Sequence, residues 1–180
     1  MTIIFSDRGD NDCLLLSSMW RGIDANVVHI TLGDNSWEDR VNDAISSEDD
    51  TLILAGHGTE HGLLSPNFME YVVHKYNVGL IHAKRVVCFW CYASKFCRKN
   101  DLRSFSTSMF ISNVEEAMVN RCKNSDESSI DKANSDIYND MRKLIMENND
   151  IETWTSVMWN RIDVRNEVDV FNRQGMRWNE

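Results

Sequence analysis

Two short stretches of this chain hold the residue types that nucleophilic catalysis needs. The first is Gly56-His57-Gly58, an imidazole between two glycines that directly follows the apolar run TLILA. The second is Cys91, which closes the run VVCFW. A thiol beside an imidazole is an activated nucleophile: the imidazole lowers the thiol pKa and later protonates the leaving group. A glycine next to the histidine leaves its N–H unobstructed. The N–H groups of Gly58 and Cys91 can then bind a developing oxyanion.

Such a pair works only if the fold brings both residues to one place, and the surrounding pattern says how. The apolar runs at 2–5, 26–32, 51–55, 86–90 and 109–112 read as strands, the third uniformly apolar as in a strand buried on both faces. Between them, residues 11–21 and 67–76 read as helices, as does the stretch after Ser36, which would cap a helix carrying Trp37, Val41, Ala44 and Ile45 on one face. Strands alternating with helices imply a parallel sheet, and ligands of open parallel sheets bind beyond the carboxyl ends of the strands. His57 and Cys91 both stand at such ends. Adjacent strands lie about 4.8 Å apart, so side chains on neighbouring tips can face one another.

After residue 113 helices dominate the pattern, at 114–122, 130–146 and 151–164, and the tail NEVDVFNRQGMRW reads as a last strand or an extended arm. The expected fold is one α/β domain over 1–180, with a mainly parallel sheet of five or six strands and helices on both faces. Its sheet core would occupy 1–113 and a mainly helical part 114–180.

Composition bounds the function. Of 180 residues, 42% are apolar and 26% charged, which is globular rather than disordered. Nineteen Lys and Arg against 28 Asp and Glu leave a net charge of -9, which argues against nucleic-acid binding by bulk charge. The apolar runs fall far short of the roughly 20 residues that span a bilayer. The start MTIIFSDRGD has no basic segment ahead of its apolar residues, unlike a secretory leader, so a cytoplasmic location is expected. Five cysteines, an odd number, argue against a disulfide scaffold.

Here the sequence resembles a known group. A strand ending in His-Gly, then a second ending in Cys followed by small residues, is the pattern of caspase-like (clan CD) cysteine peptidases: caspases, metacaspases, legumains, gingipains, clostripains, separases and bacterial CHAT domains. The elements are TLILAGHG, ending at Gly58, and VVCFWCYAS, ending at Ser94. The resemblance covers about two-thirds of the chain. It implies a three-layer α/β/α fold and an intracellular, regulatory or signalling endopeptidase that needs no cofactor or metal. His57 would be the catalytic histidine, Cys91 the nucleophile, and Gly58 part of the oxyanion hole. The loop after the first strand often lines the pocket for the residue preceding the scissile bond. Asp7 there would favour a basic residue and Arg8 an acidic one. Two departures stand out: Tyr92-Ala93-Ser94 replaces the usual small residue and glycine, and the bulky Trp90 precedes the cysteine. An inactive caspase-like interaction module is therefore the alternative.

Other readings are weaker. His57, His61, Cys88 and Cys91 are the right types for zinc, but positions 88 and 91 of one strand face opposite ways. Trp90-Cys91 is similar to thioredoxin, but Cys97 is six residues on and the Cys-x-x-Cys geometry is lost. The first loop holds a single glycine among acids, so nucleotide binding is not expected. Cys13, Cys88 and Cys122 read as packing residues, and His29 as core. Trp154, Trp159 and Trp178 read as core or as a partner-docking surface.

Overall fold

The computed structural model describes residues 1–147 and 150–180. The chain begins with β1 (Thr2–Ser6), α1 (Asn11–Leu16), β2 (Asn26–Ile30), α2 (Trp37–Ser47) and β3 (Thr51–Gly56). Three short strands follow, β4 (Gly58–Thr59), β5 (Gly62–Leu64) and β6 (Tyr71–His74). Then come β7 (Arg85–Phe89), α3 (Ala93–Lys99), β8 (Ser104–Thr107), α4 (Val114–Val119) and α5 (Glu127–Glu147). The chain closes with α6 (Trp154–Asn160), α7 (Glu167–Gln174) and β9 (Met176–Asn179).

The main sheet has the order β2-β1-β3-β7-β8-β9, parallel throughout except for β9, which runs antiparallel to β8. Alternation along the strands builds two separate cores. Ile3, Phe5, Ile53, Ala55, Val87 and Phe89 face α1, α5 and α6, meeting Cys13, Tyr138, Met141 and Trp154. Ile4, Leu52, Leu54, Val86 and Cys88 face α2 and α3, meeting Val41, Ile45, Phe96 and Cys97. The result is a three-layer α/β/α domain, as the sequence pattern implies. No helix among the described residues is long and apolar enough to cross a membrane.

Four expectations need correction. Residues 67–76 are not helical: Tyr71–His74 is a strand paired antiparallel with Gly62–Leu64. The Ser65 hydroxyl and the Asn67 side chain organise the turn before it through bonds to Glu70 and Met69, and side-chain bonding of this kind competes with helix. The strand expected at 109–112 lies earlier, at Ser104–Thr107. Its sequence SFST is polar yet fully buried. Thr107 donates to the Trp90 carbonyl (2.6 Å), and Asn179 donates to the Ser106 hydroxyl (2.6 Å) and the Ser104 carbonyl (3.1 Å). Satisfied polar groups can be buried, so hydrophobicity misses this strand. His29 is not core; it is exposed and bonds Asp7. The tail forms α7 before its strand. Asn166 starts that helix by accepting from the N–H groups of Val168 and Asp169.

Ser36 does precede α2, but its hydroxyl turns back to Asp34 and makes no cap bond. Among the tryptophans, Trp154 is fully buried, while Trp159 is exposed.

The small sheet β4-β5-β6 depends on Gly62. Its φ is +146°, and an added Cβ would lie 1.9 Å from the Val73 carbonyl oxygen. Gly62→Ala is expected to destabilise the protein by about 3 kcal/mol, from strain plus a clash with backbone that cannot step aside. Urea denaturation measures it, and an unchanged midpoint would contradict the account.

Candidate active site

The register of β3 and β7 sets the site. Leu54 pairs with Cys88 and Ala55 with Phe89. Continuing two residues further brings position 57 level with position 91. Both then share the face of Ala55 and Phe89, because the side-chain period is two. His57 and Cys91 do line one cavity of about 40 Å³, together with Asp12, Cys13, Phe89, Phe110, Ser112 and Tyr138. That is room for about one water. The cavity opens beyond the carboxyl ends of the strands, beside the point where β1 leads outward to β2 and β3 lies on its other side.

His57 is held from two directions. Its Nε2 lies 2.8 Å from Asp10 Oδ2. Its ring makes a T-shaped contact with Phe68, with centroids 5.4 Å apart. Asp10 is also the N-cap of α1, its Oδ1 accepting the Cys13 N–H at 2.9 Å. One carboxylate therefore starts the helix with one oxygen and fixes the imidazole with the other. Burial alone would raise the Asp10 carboxyl. The Cys13 N–H and His57 outweigh it and hold the group below its ordinary value, so Asp10 is a carboxylate at neutral pH. The bond engages Nε2, which leaves Nδ1 as the ring nitrogen for exchanging a proton with Cys91 or a substrate.

Cys91 lies on a sharp strand-to-helix turn. The next residue, Tyr92, has φ +67°, a left-handed backbone that is uncommon outside glycine. Its N–H is tied to the Ser108 carbonyl (3.0 Å), and the Ala93 N–H to the Trp90 carbonyl (3.2 Å). The thiol of Cys91 donates to the Phe110 carbonyl at 3.6 Å. Burial pushes this thiol up to about 11, and the charges of Glu116 and Asp12 push the same way. Among the described residues no hydrogen bond joins Cys91 to His57. The two share a cavity, and the sulfur is held as a neutral thiol.

Phe110 is in place because its neighbour Ile111 is clamped. The Ile111 N–H donates to Asn172 (2.7 Å), and its carbonyl accepts from Asn134 and Asn172 (3.1 and 3.0 Å). These buried amides explain why 109–112 is apolar without being a strand.

Gly58 has a packing reason of its own. A Cβ there would fall 2.1 Å from the Trp90 ring, whose Nε1 donates to the Thr59 carbonyl at 3.0 Å. Gly58, Asp7 and Arg8 are not among the residues lining the cavity. Asp7 bonds His29 at 2.8 Å, and the Arg8 guanidinium lies 4.2 Å from the centre of the Phe68 ring. Arg8 thus backs the ring that backs His57. The zinc set His57, His61, Cys88 and Cys91 is not assembled. Cys88 is buried on the opposite face of β7, and His61 opens onto a separate cavity of about 650 Å³ with Trp37 and Tyr71.

Sequence reasoning missed Asp10, Asp12 and Cys13 as site residues. Asp10 carried a signal, since an aspartate after a strand and before an apolar helix is an N-cap, and that cap lies at the strand tips. Asp12 carried none of its own. The Ser112 hydroxyl donates to Asp12 Oδ2 at 2.7 Å and also lies 3.1 Å from Glu116 Oε2, so two carboxylates converge beside Cys91. No family model, no curated protein and no solved structure matches this chain.

Proposed function

We propose that this chain is a caspase-like cysteine endopeptidase in a resting conformation. The observation carrying this reading is that His57 and Cys91, from the tips of adjacent parallel strands, line one cavity. Cys91 attacks the scissile carbonyl as His57 takes the thiol proton at Nδ1. In this reading the Cys91 N–H receives the oxyanion, and the Gly58 N–H, which does not line the resting cavity, joins it when substrate opens the site. His57 then passes its proton to the leaving amine, a thioester remains on Cys91, and water, deprotonated by His57, releases the acid. Asp10 is the positioning residue that orients the ring. A thiol with a pKa near 11 is not a preformed thiolate. Proton transfer therefore accompanies substrate binding, which also has to open a cavity of about 40 Å³.

The acidic rim suggests the substrate. Asp12, beside Cys91 and supported by Ser112, favours a peptide with Lys or Arg before the scissile bond. On a peptide library, cleavage after basic residues is the expected result. Asp12→Asn should lower kcat/KM for those peptides by about 10- to 100-fold, the cost of removing a charged hydrogen-bonding partner. Cleavage after acidic residues would refute the specificity, and a library left intact under all conditions would refute the peptidase.

Two observations favour a second reading. The protonated thiol and the water-sized cavity also suit a caspase-like module that binds a partner without turnover. A stable complex on co-purification, together with an uncleaved library, would identify it.

A further inference from the structure

Besides the Cys91–His57 pair, the same strand tips hold a second cluster of donors. Asp10 and Cys13 stand three residues apart at the start of α1, one helical turn, so their side chains share a face. His57 enters from the tip of β3. A carboxylate oxygen of Asp10, Cys13 Sγ and a ring nitrogen of His57 all lie within 4.8 Å of one another. Oxygen, sulfur and nitrogen from three side chains, beside a cavity that leaves a fourth position open to water, form the donor set of an accessible zinc site.

We propose that Asp10, Cys13 and His57 bind a thiophilic divalent cation, zinc by its donors, and that the bound ion holds His57 away from Cys91. The second half rests on the peptidase reading; the first does not.

The arrangement is built for capture without large movement. Cys13 is 1% exposed, but the His57 and Asp10 side chains are 29% and 35% exposed, so an ion has a way in. The Cys13 thiol contacts the Ser6 carbonyl at 3.8 Å; burial and the neighbouring Asp10 carboxylate push it up to about 12, and a cation between sulfur and carboxylate reverses that balance, since a coordinating thiol is deprotonated. The 2.8 Å His57–Asp10 contact is shorter than the separation of two ligands on one tetrahedral ion, about 3.3 Å, so ring and carboxylate part slightly on binding. The Cys13 N–H bond uses the other carboxylate oxygen and stays intact, which keeps α1 capped. Binding releases the Cys13 thiol proton to solvent and changes no oxidation state. An ion on Nε2 takes the place of the direct Asp10 contact there, and a metal-bound imidazole is a poor proton acceptor at its remaining nitrogen. The same ion therefore silences the acid–base residue of the proposed reaction.

Cobalt(II) and zinc(II), added to the purified, chelator-stripped full chain, test this. Cobalt should give a thiolate-to-metal charge-transfer band that zinc displaces. Cys13→Ala and His57→Ala should each weaken affinity by more than the roughly 10- to 100-fold that outer-sphere partners account for. Cys91→Ala should keep both band and affinity. Thermal denaturation without metal checks that each variant folds. No band in folded wild-type protein overturns the site. A band lost in Cys91→Ala but kept in Cys13→Ala overturns the ligand assignment. For the inhibitory role, zinc should stop peptide cleavage in the wild type and a chelator should restore it. Metal-free cleavage that bound zinc leaves unchanged overturns that role alone. Metal binding in a protein that cleaves no peptide with or without metal refutes the peptidase reading, and the inhibitory role with it, while the site stands.

Discussion

Cys91→Ala should lower peptide hydrolysis by at least about 10³-fold, and His57→Ala by about 10²- to 10⁴-fold. The two losses should not add, because sulfur and imidazole act in one step. The structure also sets the pH behaviour of the sulfur. In substrate-free protein, burial and the charges of Glu116 and Asp12 favour the neutral thiol, so Cys91 alkylation should rise with pH toward a midpoint near 11. A raised pKa means the thiolate fraction is small at neutral pH and grows only as pH climbs through that value. Alkylation mapped to each cysteine by mass spectrometry measures it. Occupying the site with a cleavable or substrate-like peptide should shift the profile to lower pH in the wild type and not in His57→Ala. Wild-type turnover by Cys91→Ala would end the proposal. A midpoint below 7 without ligand would instead mean that the ion pair is already formed, against the geometry described.

Arg173→Met should destabilise the fold by about 3–5 kcal/mol, the largest stability effect expected from one side chain here. The Arg173 side chain is 2% exposed. Its Nε donates to Asp169 at 2.8 Å, and its Nη2 lies 2.9 Å from Asp140. Asp140 belongs to α5 and Asp169 to α7, so one guanidinium clamps two helices. Its loss leaves the 4%-exposed Asp169 carboxylate without a cation, which is the costly half of breaking a buried pair. The exposed Lys132–Asp136 pair on α5 is the control; Lys132→Ala there should leave the urea midpoint nearly unchanged. Urea denaturation reads both, with an unchanged slope confirming that the unfolded state is unaltered. A loss under about 1 kcal/mol for Arg173→Met would show that the buried carboxylates find other partners. The effect should reach the site, because α7 also carries Asn172, which clamps Ile111 beside the carbonyl that holds the Cys91 thiol.

The candidate site was partly legible because a parallel sheet is a regular object. Positions 51–55 and 86–90 are apolar enough to be buried strands, and parity alone places 57 on the face of 55, and 91 on that of 89. Asp10 could be read as a helix cap but not as the partner of His57. That role depends on β1 lying beside β3, a long-range fact with no local trace. Asp7 and Arg8 were legible as a loop at the strand ends, but not in their directions. Backbone turns and the ring of Phe68 decide that they miss the cavity.

The elements that sequence misplaced share a cause. β6 holds two buried valines, but the flanking residues allow a helix, and only pairing with β5 makes it a strand. β8 is polar, and its burial is permitted by bonds from Asn179 and to the Trp90 carbonyl, residues far away in the chain. The apolar 109–112 segment is held by amides from α5 and α7 instead of by a neighbouring strand.

Local pattern and alternation are properties of neighbouring residues, so the sequence alone determined the α/β class, the parallel sheet core and the positions of His57 and Cys91 at strand ends. Tertiary contact decided the rest: that Asp10 grips His57, that Cys13 stands within reach of both, and that Asp12 and Glu116 bear on the sulfur. It also decided that Cys91 rests as a buried thiol. Desolvation and charge proximity depend on distance through space, and a chain sets that distance only when it folds.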